Sequence, residues 1–175
     1  DTTKFALGIC NGCQMLSALK DIIPGAQHWP SFQRNTSEQF EARWTQVRIP
    51  PSQSIFFQSL AGASLPIAVA HGEGRAVFAA ESDYSALQAS GGVGMEYGTP
   101  EALANSYPHN PNGSYQAVAS VCNTDGRITL MMPHPERTVR SNTGSWWAQA
   151  SSTGDGDTTL WFELFRNAYR WAVQA

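Results

Sequence analysis

Charge is what this sequence has least of. Only 14% of its 175 residues are charged, where soluble domains carry about 25%. A lone domain with so few charges has little well-solvated surface, so part of that surface is expected to lie against other protein. The 11 Lys and Arg against 14 Asp and Glu, a net charge of −3, provide no basic field for nucleic acid. No apolar run approaches the roughly 20 residues of a membrane span. The GxxxxGK[ST] pattern is missing, so no P-loop phosphate site is expected. There are three cysteines, which cannot all pair within the chain, and no second Cys-x-x-Cys accompanies the one present. Zinc would lack ligands, and no metal site is expected. Nothing at the N-terminus reads as a signal peptide, and the expected setting is reduced and cytoplasmic. Repeats, low-complexity tracts and interdomain linkers are also absent. The length suits one domain with a real core.

What is present alternates between strand and helix patterns. Phe5 to Ile9 reads as a short buried strand. From Asn11 the period changes, with Met15, Leu16, Leu19, Ile22 and Ile23 at helical spacing before Pro24-Gly25. The second half of "SFQRNTSEQFEARWTQVRIP" alternates as a strand does, and "LPIAVA" at 65–70 is another strand candidate. Residues 81–92 suggest a short helix. "YQAVASV" and "RITLMM", either side of Asp125-Gly126, suggest a hairpin. A polar loop over about 141–158 leads to a closing helix whose Leu160, Trp161, Leu164, Phe165, Ala168, Trp171 and Ala172 form an apolar stripe expected to pack on the sheet. The expected class is α/β layers.

The chemistry starts at "LGICNGCQML", residues 7–16. Strand, turn and helix with Gly8 and Gly12 either side of Cys10 make G-x-C-x-G, a thiol form of the nucleophile elbow. So sharp a reversal is expected to leave little room for side chains at Gly8 and Gly12. Cys10 would sit at a helix N-terminus, which favours a thiolate. The N–H of Asn11 falls where half of an oxyanion hole is needed, and Gln14, one turn on, faces the same way. Two other readings of the segment stand beside this one: a Cys10–Cys13 redox pair, or two buried small residues. Cys13 and Cys122 read as core.

"MMPHPER" holds the second piece. Flanking prolines favour extended backbone, which would point His134 and Glu136 the same way. A thiol needs a base, and the base an orienting carboxylate; these two residues supply both if the fold brings them to Cys10. The bland alternative is a proline-rich strand end with a surface ion pair. "AHGEGR", residues 70–75, follows a strand as binding loops do. There Gly72 and Gly74 allow close backbone approach, and His71, Glu73 and Arg75 are either ligand contacts or a solvated turn.

With "LGICNGCQMLS", "RNTSEQFEAR", "AVAHGEGR", "NPNGS", "MMPHPER" and "LFRNAYRW", the chain resembles the class I (triad) glutamine amidotransferases nearly end to end. Among them it is most similar to the C-terminal glutaminase domain of large-type phosphoribosylformylglycinamidine synthases. The resemblance implies a flavodoxin-like α/β fold with a nucleophile elbow. It implies Cys10 as nucleophile, His134 as base and acid, and Glu136 as its orienter. Gln14 and the His71-Gly72-Glu73 backbone would hold L-glutamine. Ammonia would pass to a synthetase domain of the same polypeptide, where ATP and Mg2+ act; no cofactor is expected within this chain. Family members have strands before the elbow strand, with a glycine-rich loop that gives the other oxyanion donor. Residues 1–175 are therefore expected to be the glutaminase domain of a longer polypeptide, without those strands. Two alternatives remain open, a thiol redox or sensor module and a catalytically silent domain kept for assembly.

Overall fold

A computed structural model describes residues 1–144 and 156–174; the middle of the expected 141–158 loop lies outside these. The described residues form eight strands: β1 (Ala6–Ile9), β2 (Ser31–Gln33), β3 (Glu41–Arg48), β4 (Ser64–His71), β5 (Arg75–Val77), β6 (Val93–Tyr97), β7 (Val118–Cys122) and β8 (Ile128–Met131). Three α-helices accompany them among the described residues: α1 (Asn11–Ala18), α2 (Glu81–Ala89) and α3 (Phe162–Gln174). Six strands form one sheet in the order β1-β8-β7-β6-β3-β4, and β2 and β5 form a separate pair. β1 runs parallel to β8, with Ile9 opposite Met131. The other pairings in the large sheet are antiparallel, including the expected β7–β8 hairpin. Among the described residues, no helix is long and apolar enough to cross a membrane.

Alternation along the strands feeds two cores, one on each face of the sheet. On the first face Met95, Tyr97, Ala119 and Met131 meet Ile55, Phe56, Phe57 and Leu60 from the 50–62 segment, with Trp161 and Leu164 from the α3 end. On the second, Val93, Val118, Leu130 and Met132 meet Cys13 of α1 and Tyr84 and Leu87 of α2. The resulting α/β layers are those expected. Two deeply buried indoles are satisfied, Trp29 donating to the Cys122 carbonyl at 2.9 Å and Trp161 to that of Pro66 at 2.8 Å.

The two apolar helix stripes need correction. α1 ends at Ala18 and a 3-10 turn follows over Lys20–Ile22. Its buried residues are Cys13 and Ser17, whereas Met15, Leu19 and Ile22 are 57%, 43% and 77% exposed. The stripe exists, but the elbow sets the rotation of the helix. With Cys10 fixed at its start, positions 13 and 17 turn inward and 15, 19 and 22 turn outward. In α3, Leu164 is buried, and Ala168 and Trp171 pack against the first core, while Phe165 and Ala172 are exposed. Asn167 takes an inward place instead, donating to the Phe56 carbonyl at 2.9 Å.

The two elbow glycines also differ. A Cβ on Gly8 would stand 2.6 Å from the Gly12 carbonyl oxygen and 2.7 Å from Leu16 Cδ1, whereas a Cβ on Gly12 would meet nothing within 4 Å. The expectation that Gly12 has little room is overturned, because its backbone, rather than its Cα hydrogen side, faces the strand. Gly8→Ala is expected to cost about 1–3 kcal/mol by forcing α1 off β1. Gly12→Ala should be neutral or add up to about 1 kcal/mol of helix stability. Thermal melting of the two variants checks this; equal melting temperatures would mean the elbow is looser than these distances.

Candidate active site

Cys10 sits between β1 and α1 with φ 52° and ψ −107°. This left-handed conformation costs a non-glycine residue on the order of 1–3 kcal/mol and persists only where the surroundings impose it. They do so here: the Cys10 N–H donates to the Met131 carbonyl of β8 at 2.9 Å, and the Gln14 N–H donates to the Cys10 carbonyl at 3.1 Å. The thiol, half-buried, points at the Ala70 carbonyl of β4, 3.9 Å away.

Two residues back along β4, the Ala68 carbonyl accepts the His134 N–H at 2.8 Å. One end of β4 therefore carries both the thiol and the histidine. Beyond His134 the chain makes a 3-10 turn, Pro135–Arg137. The expected extended backbone stops at the histidine, and the turn folds Glu136 back onto it. Glu136 Oε1 lies 2.6 Å from His134 Nδ1. A carboxylate only accepts, so Nδ1 carries a proton. Nε2 is buried and has no hydrogen-bond partner among the described residues. Burial raises the Glu136 carboxyl, but the His134 hydrogen bond and the charges of His134 and Arg137 bring it below its usual range.

The thiol does not behave as its helix position suggested. Burial pushes Cys10 above its ordinary value; the Asn11 N–H and the Arg137 cation act against this, and Glu136 adds to it. Desolvation outweighs the Asn11 N–H at the start of α1 and the Arg137 cation and so favours the protonated thiol, whose proton needs an acceptor. Burial raises Cys13 well above its ordinary value and Cys122 to about 11. Both are fully buried, and all three cysteines are free. A redox pair needs its second thiol reachable, and Cys13 is not.

A cavity of about 430 Å³ opens beside Cys10, bordered by Gln14, the 34–40 segment, Ala70 to Glu73 and Met132. Gln14 and the expected glutamine-binding stretch His71-Gly72-Glu73 are thus on one wall. Gln14 Nε2 donates to the Glu73 carbonyl at 2.9 Å, tying α1 to this loop. His71 itself is a buried support. Its desolvated imidazole falls to about 4, with the Met132 backbone and Glu41 raising it and His134 lowering it. Its Nε2 lies 3.2 Å from Asn112 Nδ2. A Cβ on Gly74 would come within 2.2 Å of that Nε2, so Gly74 is required by the ring packed against it.

Two residues that local spacing leaves without a role hold the loop. Asn35, 2% exposed, accepts the Gly74 N–H at 3.0 Å and donates to the His71 carbonyl at 2.8 Å. Asn112, fully buried, donates to the Gly74 carbonyl at 2.7 Å and accepts from Ser114 Oγ at 2.8 Å. Both lie in quoted segments, "RNTSEQFEAR" and "NPNGS". Asparagine in turn-forming stretches was the available signal; what it bonds to depends on the fold.

Residues 1–172 match the family model of the CobB/CobQ-like glutamine amidotransferase domain. The chain belongs to that family. The fold of this amidotransferase domain is also similar to the solved structure of PurLQS from Thermotoga maritima, with a TM-score of 0.67 and 23% identity. That match covers 97% of this chain and 63% of the other, so the amidotransferase domain spans less than two thirds of the chain it resembles.

Proposed function

We propose that this chain hydrolyses L-glutamine through a thioester on Cys10. The observation that carries the reading is the imidazole of His134: Nδ1 is held by Glu136 at 2.6 Å, and Nε2 is buried and unpartnered. In the proposed sequence the Cys10 proton passes to His134 Nε2 as Sγ attacks the amide carbon of glutamine. The tetrahedral oxyanion is met by the Asn11 N–H. The C–N bond then breaks, His134 returns the proton to the leaving nitrogen, and ammonia departs. Water, deprotonated by the same imidazole, attacks the thioester, releasing glutamate and restoring the thiol. Each turnover converts glutamine and water to glutamate and ammonia. Gln14 and the His71-Gly72-Glu73 backbone line the substrate cavity.

The ammonia is proposed to serve a synthetase domain of the same polypeptide, which converts formylglycinamide ribonucleotide to the amidine in de novo purine biosynthesis. ATP and Mg2+ belong to that domain, and residues 1–175 are the glutaminase domain. Support comes from the family match, from "GICNGCQ", "HGEGR" and "PHPER", and from the fold shared with PurLQS. Three free thiols suit a cytoplasmic setting.

A glutamine-mimicking electrophile is the direct test. Peptide mapping of the treated, folded protein should find the adduct on Cys10 alone, because Cys13 and Cys122 are buried and hard to ionise. An adduct on Cys13, or equal labelling of both, would favour the redox reading.

A further inference from the structure

Arg75 ends the "AHGEGR" stretch, and the hydrolysis gives it no task. It borders a second cavity, of about 400 Å³, together with the 76–81 segment, Gly113 and Tyr115. That volume lies in the range of small-molecule sites. Six arginines among the described residues lie within ion-pair distance of a carboxylate. Arg75 does not. Its guanidinium donates once among the described residues, to the neutral Gln33 Oε1 at 3.4 Å, and its Nε is buried without a hydrogen-bond partner there. A half-buried guanidinium with a donor to spare suits an anionic group, which it takes with paired, charge-assisted hydrogen bonds.

Tyr115 supplies a flat surface. It is 37% exposed, and its ring meets Phe78 and Tyr84 edge-on, with centroids 6.0 and 5.4 Å away. Phe78 and Tyr84 meet each other in the same way at 5.5 Å. Three mutually braced rings form a platform that loses little freedom when a ligand ring lies on it. Glu81, exposed at the far end of the lining 75–81 segment, sets the polarity. The anionic group belongs at the Arg75 end, and a second one near Glu81 is repelled.

One loop serves both cavities. Asn112, which holds Gly74 behind the wall of the first, also accepts the Thr36 N–H through its carbonyl at 3.1 Å. A Cβ on Gly113 would stand 2.5 Å from Thr36 Oγ1, so the 110–115 loop rests directly on the 34–40 segment beside Cys10. Ser114 Oγ accepts the Ala76 N–H of β5 at 2.9 Å. Just past Tyr115, Gln116 and Ala117 are both left-handed, with φ 47° and 57°, a strain that only the surroundings sustain.

We infer that the second cavity is an effector site for a small molecule in which a flat ring carries one phosphate or carboxylate, and that its occupant steadies the 110–115 loop and tightens glutamine binding in the first. The binding is independent of the proposed glutamine hydrolysis, whereas the effect on turnover rests on it. A ligand that orders a shared loop removes that ordering cost from the second binding event, which gives positive coupling without a change of shape. The coupling acts on substrate binding and appears in KM rather than kcat.

Hydrogen–deuterium exchange of the intact protein reads the binding locally, with adenosine monophosphate, phenyl phosphate, adenosine and inorganic phosphate as probes. Exchange over 75–81 and 110–117 should slow with adenosine monophosphate alone if the occupant is a nucleotide, and equally with phenyl phosphate if it is a simple aryl anion. In Arg75→Gln the concentration for half protection should rise roughly 10- to 100-fold, the worth of a charge-assisted hydrogen bond. Nucleotide bound elsewhere in the protein is blind to that change. Tyr115→Leu should weaken the same probe roughly 2- to 10-fold through the lost ring contact. A saturating probe should lower KM for glutamine about fivefold or more, with kcat within about twofold. No local slowing with either ring phosphate, or equal slowing by uncharged adenosine or by inorganic phosphate, would overturn the site. Local slowing with an unchanged KM would overturn the coupling. Absence of glutamate release alongside local slowing would instead remove the glutaminase reading and leave the site standing.

Discussion

With Cys10 replaced by alanine in the intact protein, glutamine-dependent amidine formation is expected to fall to background, while the same reaction driven by ammonium salt continues at the wild-type rate. The thiol serves only the ammonia-releasing half of the proposed chemistry, so a competent synthetase bypasses its loss. Removal of a nucleophile in a coupled set typically costs on the order of 10⁴-fold or more. The fold should tolerate the change, because the elbow is held by the Cys10 N–H to Met131, which alanine keeps, and by the close contact at Gly8. The measurement is product formation with glutamine or ammonium as the nitrogen source. Loss of both activities together would make Cys10 a structural residue and end the assignment of this domain as the nitrogen donor.

His134→Ala should have the next largest effect, about 10²- to 10⁴-fold on glutamate release. The reason is specific to this site. Burial holds the Cys10 thiol above its ordinary value, so a ready thiolate is not available to compensate for a missing base. Glu136→Gln should cost less, because the amide oxygen still accepts from Nδ1 and only the carboxylate charge is lost. The same series can be read on the thiol: alkylation of Cys10 near neutral pH should slow in His134→Ala and fall between the two in Glu136→Gln. Wild-type glutaminase and alkylation rates in His134→Ala would remove the histidine from the mechanism.

The parts of this site that depend on local spacing were legible in the sequence. Gly8-x-Cys10 between an apolar run and a helical period gave the elbow, and the two-residue step from His134 to Glu136 gave the pair, although a 3-10 turn rather than an extended segment makes them meet. The strands were legible for the same reason: "LPIAVA" lies within an eight-residue strand whose burial alternates at every step. What depends on distance along the chain was hidden. Nothing local tells Asn35 or Asn112 that its partner is Gly74. Nor does the spacing of Met15, Leu19 and Ile22 say which way α1 rolls once its first residue is pinned to a strand end. The Cys10 shift belongs with these, because desolvation is set by everything packed around the thiol, and helix position is only one local contribution.

The suspension of Gly74 between Asn35 and Asn112, with the His71 ring pressed against it, has a consequence for how the domain can change. The three segments are 36 or more residues apart in sequence, yet each fills the hydrogen-bonding or steric requirement of another. A substitution at any one leaves the remaining partners with a buried group unpaired or a clash, so later changes there cost little more. Mutational effects at these positions should therefore be strongly epistatic, with double variants far milder than the sum of the singles. Drift through this region would have to proceed by linked replacements, and the wall of the cavity would behave as one inherited unit rather than as separate loops.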